Sequence, residues 1–308
     1  MRANTEVFID PLTDFGFKRL FGEEESKPLL ISFLNDILPI DSPIATVAYQ
    51  NLEKMGATPA DRKAVYDIYC VDEQGKSFIV ELQRALQFHF VERAIYYTTF
   101  PIQEQASKGK WDFELSPVYF VGILNFEVGV FKNDNYIHYC TLKDETNHTI
   151  SNALNFIYIE LPKFKKAYEE LSKHLEYWLY FFKASAELKE IPEKFKEDIL
   201  SKAFERSQFL RLSSKDQNAY YMELKHLRDY YNTIDYAQAT GKEEGREEGR
   251  EEGREEGKKE GREEGEKKAK IEIANKMLSK GFDINTVSEF LEVNIDTLKT
   301  LISNLHTR

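Results

Sequence analysis

VYDIYCVDEQGKSFIVELQ, residues 65–83, sets two runs rich in Val, Ile, Phe and Tyr on either side of Asp72-Glu73-Gln74-Gly75. That pattern is the signal of a β-hairpin closed by a short turn containing glycine. Side chains alternate along a strand, so Val65, Asp67 and Tyr69 share one face of the first run, and Ile79, Glu81 and Gln83 one face of the second. A register that opposes Asp67 to the Glu81–Gln83 segment brings two carboxylates and a carboxamide to one point, an arrangement suited to a hard cation such as Mg²⁺. Asp67 alone reads equally well as a polar device of an edge strand. Its placement in a hairpin with Glu81 favours the site.

Upstream, Asp10-Pro11-Leu12-Thr13 reads as an entry turn, followed by an apolar cluster of Phe15, Phe17, Leu20 and Phe21. Leu29, Leu30, Phe33, Leu34 and Ile37 recur at helical spacing over residues 27–38, and Pro39 stops that helix. Asp14 and Lys18 stand i,i+4, the spacing of a helical ion pair. A first strand is expected over residues 44–52, then a turn around residues 56–59. Downstream, residues 88–108 read as a helix kinked or restarted at Pro101, with Arg93, Tyr96 and Tyr97 on adjacent turns. The tyrosines are placed to pack on the sheet, and Arg93 either pairs with Glu92 or Glu104 or meets a phosphate with its planar fork. Residues 118–126 are almost continuously apolar, as a strand buried on both faces requires. Further strands are expected over 137–142 and 156–161.

From residue 162 the period becomes helical, with stripes such as Leu171, Leu175, Trp178 and Phe182. Seven glycines then recur every fourth residue from Gly241 to Gly265, in repeats of the form GREE. Each glycine costs a helix about 0.8–1 kcal/mol relative to alanine, whereas each Glu–Arg pair returns about 0.2–0.5 kcal/mol, so a frayed, solvated tether is expected. Residues 268–308 regain apolar periodicity and read as three short helices, with Gly281 as a helix stop and Asn285 and Asn294 as N-caps. Their shape is that of a helix-turn-helix, yet Lys299 is the one clear cation of the last two helices before Arg308. A small oligomerisation or docking element therefore fits better than a phosphate-binding one.

The net charge of -11 argues against a broad basic surface for nucleic acid, and residues 1–140 alone hold 13 Lys and Arg against 20 Asp and Glu. Contact with DNA must then be local. The two cysteines, Cys70 and Cys140, lie within apparent strands and read as reduced thiols, and the six histidines lack the spacing of zinc ligands. No apolar run reaches the length of a membrane span and no signal peptide pattern opens the chain, so a cytoplasmic protein is expected.

An Asp in one strand followed by Glu-x-Gln in the next resembles the signature of the PD-(D/E)XK nuclease superfamily, in particular its transposase-associated branch, the recombination-promoting Rpn nucleases. Beyond Asp67 and Glu81-Leu82-Gln83, the resemblance rests on residues 14–22, DFGFKRLFG, on 34–38, LNDIL, on Arg93 with Tyr96 and Tyr97, and on the Gly-Arg-Glu-Glu repeats. It implies an α/β restriction-endonuclease-like core of αβββαβ order, a mixed sheet flanked by helices, which the patterning also reaches. The organisation expected is a nuclease-like core at 1–161, an α-helical appendage packed on or beside it at 162–240, a repeat tether at 241–267 and a small helical element at 268–308.

The function implied is a DNA endonuclease dependent on Mg²⁺ or Mn²⁺, hydrolysing phosphodiesters in recombination. Asp67 and Glu81 would hold the ion, with the Leu82 carbonyl completing the shell, and Gln83 stands where the superfamily has lysine. A carboxamide orients water but adds no positive charge, so activity would lean on a second metal or on Lys63, which shares the strand face of Asp67. Asp14, Arg93 and Tyr97 are the supporting residues, and a homo-oligomer through the C-terminal helices is expected. Two alternatives stay open: a weakened nuclease fold serving as a nucleic-acid-binding or protein-interaction scaffold, and an RNase with the same site.

Overall fold

Three of the seven residues of the hairpin's second strand, Phe78, Val80 and Leu82, belong to one apolar layer, while Ile79 between them belongs to another, so this strand must lie inside a sheet covered on both faces. In the computed structural model, which describes residues 7–54, 63–106 and 112–303, it does. The elements, in chain order, are α1 (Asp14–Phe21), α2 (Lys27–Ile37), β1 (Val47–Tyr49), β2 (Glu53–Lys54), β3 (Ala64–Val65), β4 (Ile68–Asp72), β5 (Ser77–Gln83), α3 (Phe90–Glu104), β6 (Val118–Leu124), β7 (Ile137–Lys143) and β8 (Thr149–Glu160). Then follow α4 (His174–Ala184), α5 (Glu193–Lys196), α6 (Ile199–Ser207), α7 (Ser214–Ser279), α8 (Ile284–Phe290) and α9 (Ile295–Ser303). The turns expected around residues 56–59 and the helix end at 108 lie outside the described residues.

Six strands form one mixed sheet in the order β1-β4-β5-β6-β8-β7, and β2 pairs with β3 in a separate two-stranded ribbon. The β4–β5 hairpin is antiparallel; β5, β6 and β8 run parallel to one another; β7 returns antiparallel along β8. The hairpin turn needs a left-handed residue, and Gly75, at φ +81°, supplies it. Asp72 completes the turn by accepting the amides of Gln74 at 2.9 Å and Lys76 at 2.8 Å. All seven residues of β6 are buried, as its apolar run requires of a central parallel strand.

Two apolar layers sandwich the sheet. On one face Phe78, Val80, Val121, Ile123 and Ile157 meet α1, α2, α4 and α6, through side chains such as Phe17, Phe33, Trp178 and Phe204. Phe21, Phe33, Trp178 and Phe182 form a mutual aromatic nest with ring centroids 5.3–6.3 Å apart. The helices after residue 162 therefore supply part of the core itself. On the other face Tyr69, Ile79, Phe120 and Tyr158 pack against Phe90 and Ala94 of α3.

Helix α3 corrects one expectation, because it runs unbroken through Pro101. Proline has no N–H, so the carbonyl of Tyr97, four residues earlier, has no helical donor. The hydroxyl of Tyr66 donates to that carbonyl instead, at 3.0 Å.

By compactness the chain divides at 227/228, inside α7. In the second unit the repeat is helical throughout, contrary to the frayed coil expected of it, although every side chain from 241 to 265 is exposed. Nucleation is the costly step in helix formation, and here the apolar-striped segments on either side supply it. Ion pairs Glu243–Arg246 at 2.6 Å, Arg262–Glu266 at 3.1 Å and Glu264–Lys268 at 2.9 Å then line the surface. At the end of α7 the amides of Gly281, at φ +91°, and Phe282 return to the Leu278 and Met277 carbonyls, which closes the helix with a Schellman turn. The N-cap of α8 is Asp283, accepting from Asn285 and Thr286, rather than Asn285; Asn294 does cap α9 by accepting the Asp296 amide at 2.8 Å. Ala274, Val287, Leu291 and Leu298 make the small core of these last helices.

Candidate active site

The β4–β5 ladder ends at Ile68 opposite Val80. One residue earlier the chain bends away at Asp67 to join β3, which pairs with β2 instead. Continuing the register by that one residue sets Asp67 opposite Glu81. Where the backbone ladder runs out, the two side chains replace it: Oδ2 of Asp67 accepts the Leu82 amide at 2.8 Å, and Oε1 of Glu81 accepts the Asp67 amide at 3.1 Å. Each carboxylate thus fixes the backbone of the opposite segment. Its second oxygen accepts no protein hydrogen bond among the described residues.

Glu81 is buried and Asp67 half-buried. Burial pushes the Asp67 carboxyl up to about 6; the charge of Asp14 adds to the rise, while the Leu82 amide, Lys18 and Arg93 oppose it. Glu81 is driven well above the usual carboxylate range by burial first and by Asp67 second, against the Asp67 amide, Arg93 and Lys18. Two carboxyl groups so placed do not both hold negative charge comfortably. Protonation of one of them, or a cation, relieves the pair.

The supporting residues Asp14, Arg93 and Tyr97 come from two helices. Asp14 opens α1 and pairs with Lys18 at 2.9 Å, so it is both a helical ion pair and a charge felt at Asp67. Arg93 and Tyr97 project from α3; the Arg93 guanidinium lies over the rings of Phe90 and Tyr97, 5.3 and 5.8 Å from their centres, and donates through Nη1 to the Gln87 side chain. It pairs with neither Glu92 nor Glu104, since Glu104 is held by Lys54 at 2.6 Å. Lys63 turns to Glu53 at 3.3 Å, on the β2–β3 ribbon. Gln83, half-buried, follows Glu81 on the same face of β5, and its carbonyl accepts the Asn125 amide at 2.9 Å.

Several contributors had no signal in the local pattern. Glu223, on α7, accepts the amides of Asp14 and Phe15 at 2.5 and 2.8 Å and so anchors the start of α1 beside the site across 209 residues of sequence. Arg84 ties the end of β5 to the entry turn through Asp10 Oδ2 at 3.0 Å and the Leu12 carbonyl at 2.9 Å. Tyr66 is the exception. Pro101 in a helical run advertises a carbonyl in need of a donor, and a tyrosine hydroxyl is one of the few side-chain groups long enough to reach it.

Among the described residues no cluster of three His, Cys, Asp or Glu side chains is arranged to hold a metal ion. The donor set nonetheless fits Mg²⁺. It consists of hard carboxylate oxygens with one free oxygen each, and Mg²⁺ keeps several of its waters and takes only one or two protein carboxylates.

The sequence profile of the PD-(D/E)XK nuclease family transposases matches residues 11–237, a span that includes α1, the whole six-stranded sheet and the helices that cover it. No curated protein and no solved structure matches the chain significantly. None of the described helices is long and apolar enough to cross a membrane.

Proposed function

The chain belongs to the PD-(D/E)XK nuclease family transposases, and from that premise we propose that it is a divalent-metal-dependent DNA endonuclease acting in recombination, with Asp67, Glu81 and Gln83 as its working residues. The observation that carries this reading is the reciprocal bonding of Asp67 and Glu81, which holds two strained carboxylates together where the ladder ends. Asp67 and Glu81, with the Leu82 carbonyl as a further candidate ligand, would hold a Mg²⁺ or Mn²⁺ ion, which would supply Lewis acidity and lower the pKa of a water so that hydroxide is available to attack phosphorus.

The protein's own residues do the rest. Asp67 and Glu81 present fixed oxygens on a rigid strand pair, where little reorganisation is needed on reaction. The Gln83 carboxamide orients water or a phosphate oxygen by donating a hydrogen bond, without adding charge. Asp14 adds negative potential at Asp67, which strengthens that carboxyl's hold on a proton and on a cation alike.

Nicking of supercoiled plasmid in Mg²⁺ or Mn²⁺, against EDTA, tests the proposal. Asp67→Asn and Glu81→Gln keep the volume and the acceptor oxygens but leave the ion short of charge, so each is expected to lose cleavage by at least about a hundredfold. Wild-type protein that is folded yet cuts neither supercoiled, linear nor single-stranded DNA would instead favour a scaffold that has kept the fold. An RNA substrate in the same assay decides the nucleic acid.

A further inference from the structure

Arg93 Nη2 is buried and has no hydrogen-bond partner among the described residues. A charged donor left in that state costs free energy, and in a native fold it calls for a function. Other described cations around the site are engaged: Lys18 by Asp14, Lys63 by Glu53, Lys54 by Glu104, and Arg84 by Asp10 and the Leu12 carbonyl. The charge of Arg93 is nevertheless felt at both Asp67 and Glu81, and at Tyr97 beside them. Its position is set by packing over the Phe90 and Tyr97 rings and by Gln87, which takes Nη1 and leaves Nη2 over. At the one site position where a lysine would supply a cation, β5 carries Gln83.

Resting on the nuclease reading, we propose that Arg93, from α3, supplies the positive charge that Gln83 lacks, and that its Nη2 is held for a non-bridging oxygen of the scissile phosphodiester. A guanidinium suits this task, because it stays protonated at any working pH and its second N–H group is already aimed by the first. It acts by electrostatic stabilisation of the phosphorane-like transition state and takes no part in proton transfer. Lys and Arg are not equivalent here: the ammonium of a lysine on α3 keeps charge but loses the Gln87 bond that orients the fork.

The decisive experiment moves the charge. Arg93→Met retains an aliphatic stem over Phe90 and Tyr97, so the fold should persist, and circular dichroism checks it. Plasmid cleavage in saturating Mg²⁺ is expected to fall about a hundredfold in Arg93→Met, and Arg93→Lys to retain an intermediate rate. Adding Gln83→Lys to Arg93→Met should restore the rate to within about tenfold of wild type. A parallel readout is independent of cutting: anisotropy of a fluorescent DNA duplex in Ca²⁺, where Arg93→Met should weaken binding about tenfold. Cleavage and binding unchanged in Arg93→Met overturn the proposal, as does a double variant that stays as slow as the single one. If wild-type protein does not cut but Arg93→Met still weakens DNA binding tenfold, the contact of Arg93 with a phosphate stands, while the nuclease reading and the catalytic part of the proposal fall. Wild-type protein that neither cuts nor binds DNA removes both.

Discussion

On the proposed function, Asp67 and Glu81 set function against stability in one pair of side chains. A carboxyl whose folded value, about 6 for Asp67, lies above its unfolded value near 3.9 binds its proton more tightly in the folded state. Its contribution is therefore most favourable below about pH 4 and is lost as the pH rises through about 6, a swing of roughly 3 kcal/mol at most. Asp67→Asn removes that titration while its carbonyl oxygen still accepts the Leu82 amide. We expect the variant to melt about 5 °C above wild type at pH 8 in EDTA and to differ little at pH 4.5. Mg²⁺ should raise the wild-type midpoint at pH 8 and leave the variant's unmoved. A variant less stable than wild type at pH 8 would show that the carboxylate is held by a partner rather than strained. The same balance explains why these residues were legible in the sequence: charged side chains in strands otherwise apolar have no packing reason to be there. Glu223 was not legible for the opposite reason, since a glutamate on a polar helix looks like any solvated residue until the fold carries it to α1.

At the scale of the element, legibility followed how local the cause was. The hairpin, β6 and α2 are dictated by alternation, apolar runs and a stopping proline; β6 and α2 stand where the pattern puts them, while the hairpin's first strand begins at Ile68, since the chain bends at Asp67 and Val65 pairs in the β2–β3 ribbon. The unbroken course of α3 depends on Tyr66, 35 residues before Pro101, and no window over the helix contains it. Tyr66→Phe strands the Tyr97 carbonyl and should cost about 1 kcal/mol in urea denaturation. In a Pro101→Ala background, where the new amide reaches that carbonyl, the cost should largely vanish. Equal costs in both backgrounds would sink this account. The repeat of α7 differs again. Its per-residue propensities favour coil for the segment taken alone, and continuity with flanking helix decides otherwise. A Cβ at Gly253 or Gly257 meets nothing within 4 Å, so alanine at both should add about 1 kcal/mol of helix stability each and slow amide exchange from 241 to 265. Exchange that stays as fast as in a free peptide would mean the repeat is not held as helix.

Charge is the property that belongs to the whole molecule, and it limits how DNA is held. The chain carries a net charge of -11, and the cations near the site are largely engaged by its own carboxylates. A protein that binds DNA through a broad basic face neutralises some eight phosphates, and its affinity falls by about 10⁴ between 50 and 200 mM salt. On the proposed function the positive charge offered to DNA is that of Arg93 and of the ion the carboxylates would hold, so about three phosphates is the expected number. Affinity in Ca²⁺ should then drop only about 40-fold over the same range, a slope near -2.7 in log–log form. Removing Arg93 should flatten the slope by about one further unit, whereas a substitution such as Lys299→Ala in the last helix should leave it unchanged. A wild-type slope steeper than about -5 would contradict this picture and place a basic contact surface elsewhere on the chain. The shallow slope carries a mechanistic consequence: with little non-specific attraction to hold it on the duplex, such a nuclease depends on its metal and on Arg93 to engage a phosphate at all, so binding and the chemical step draw on the same few groups.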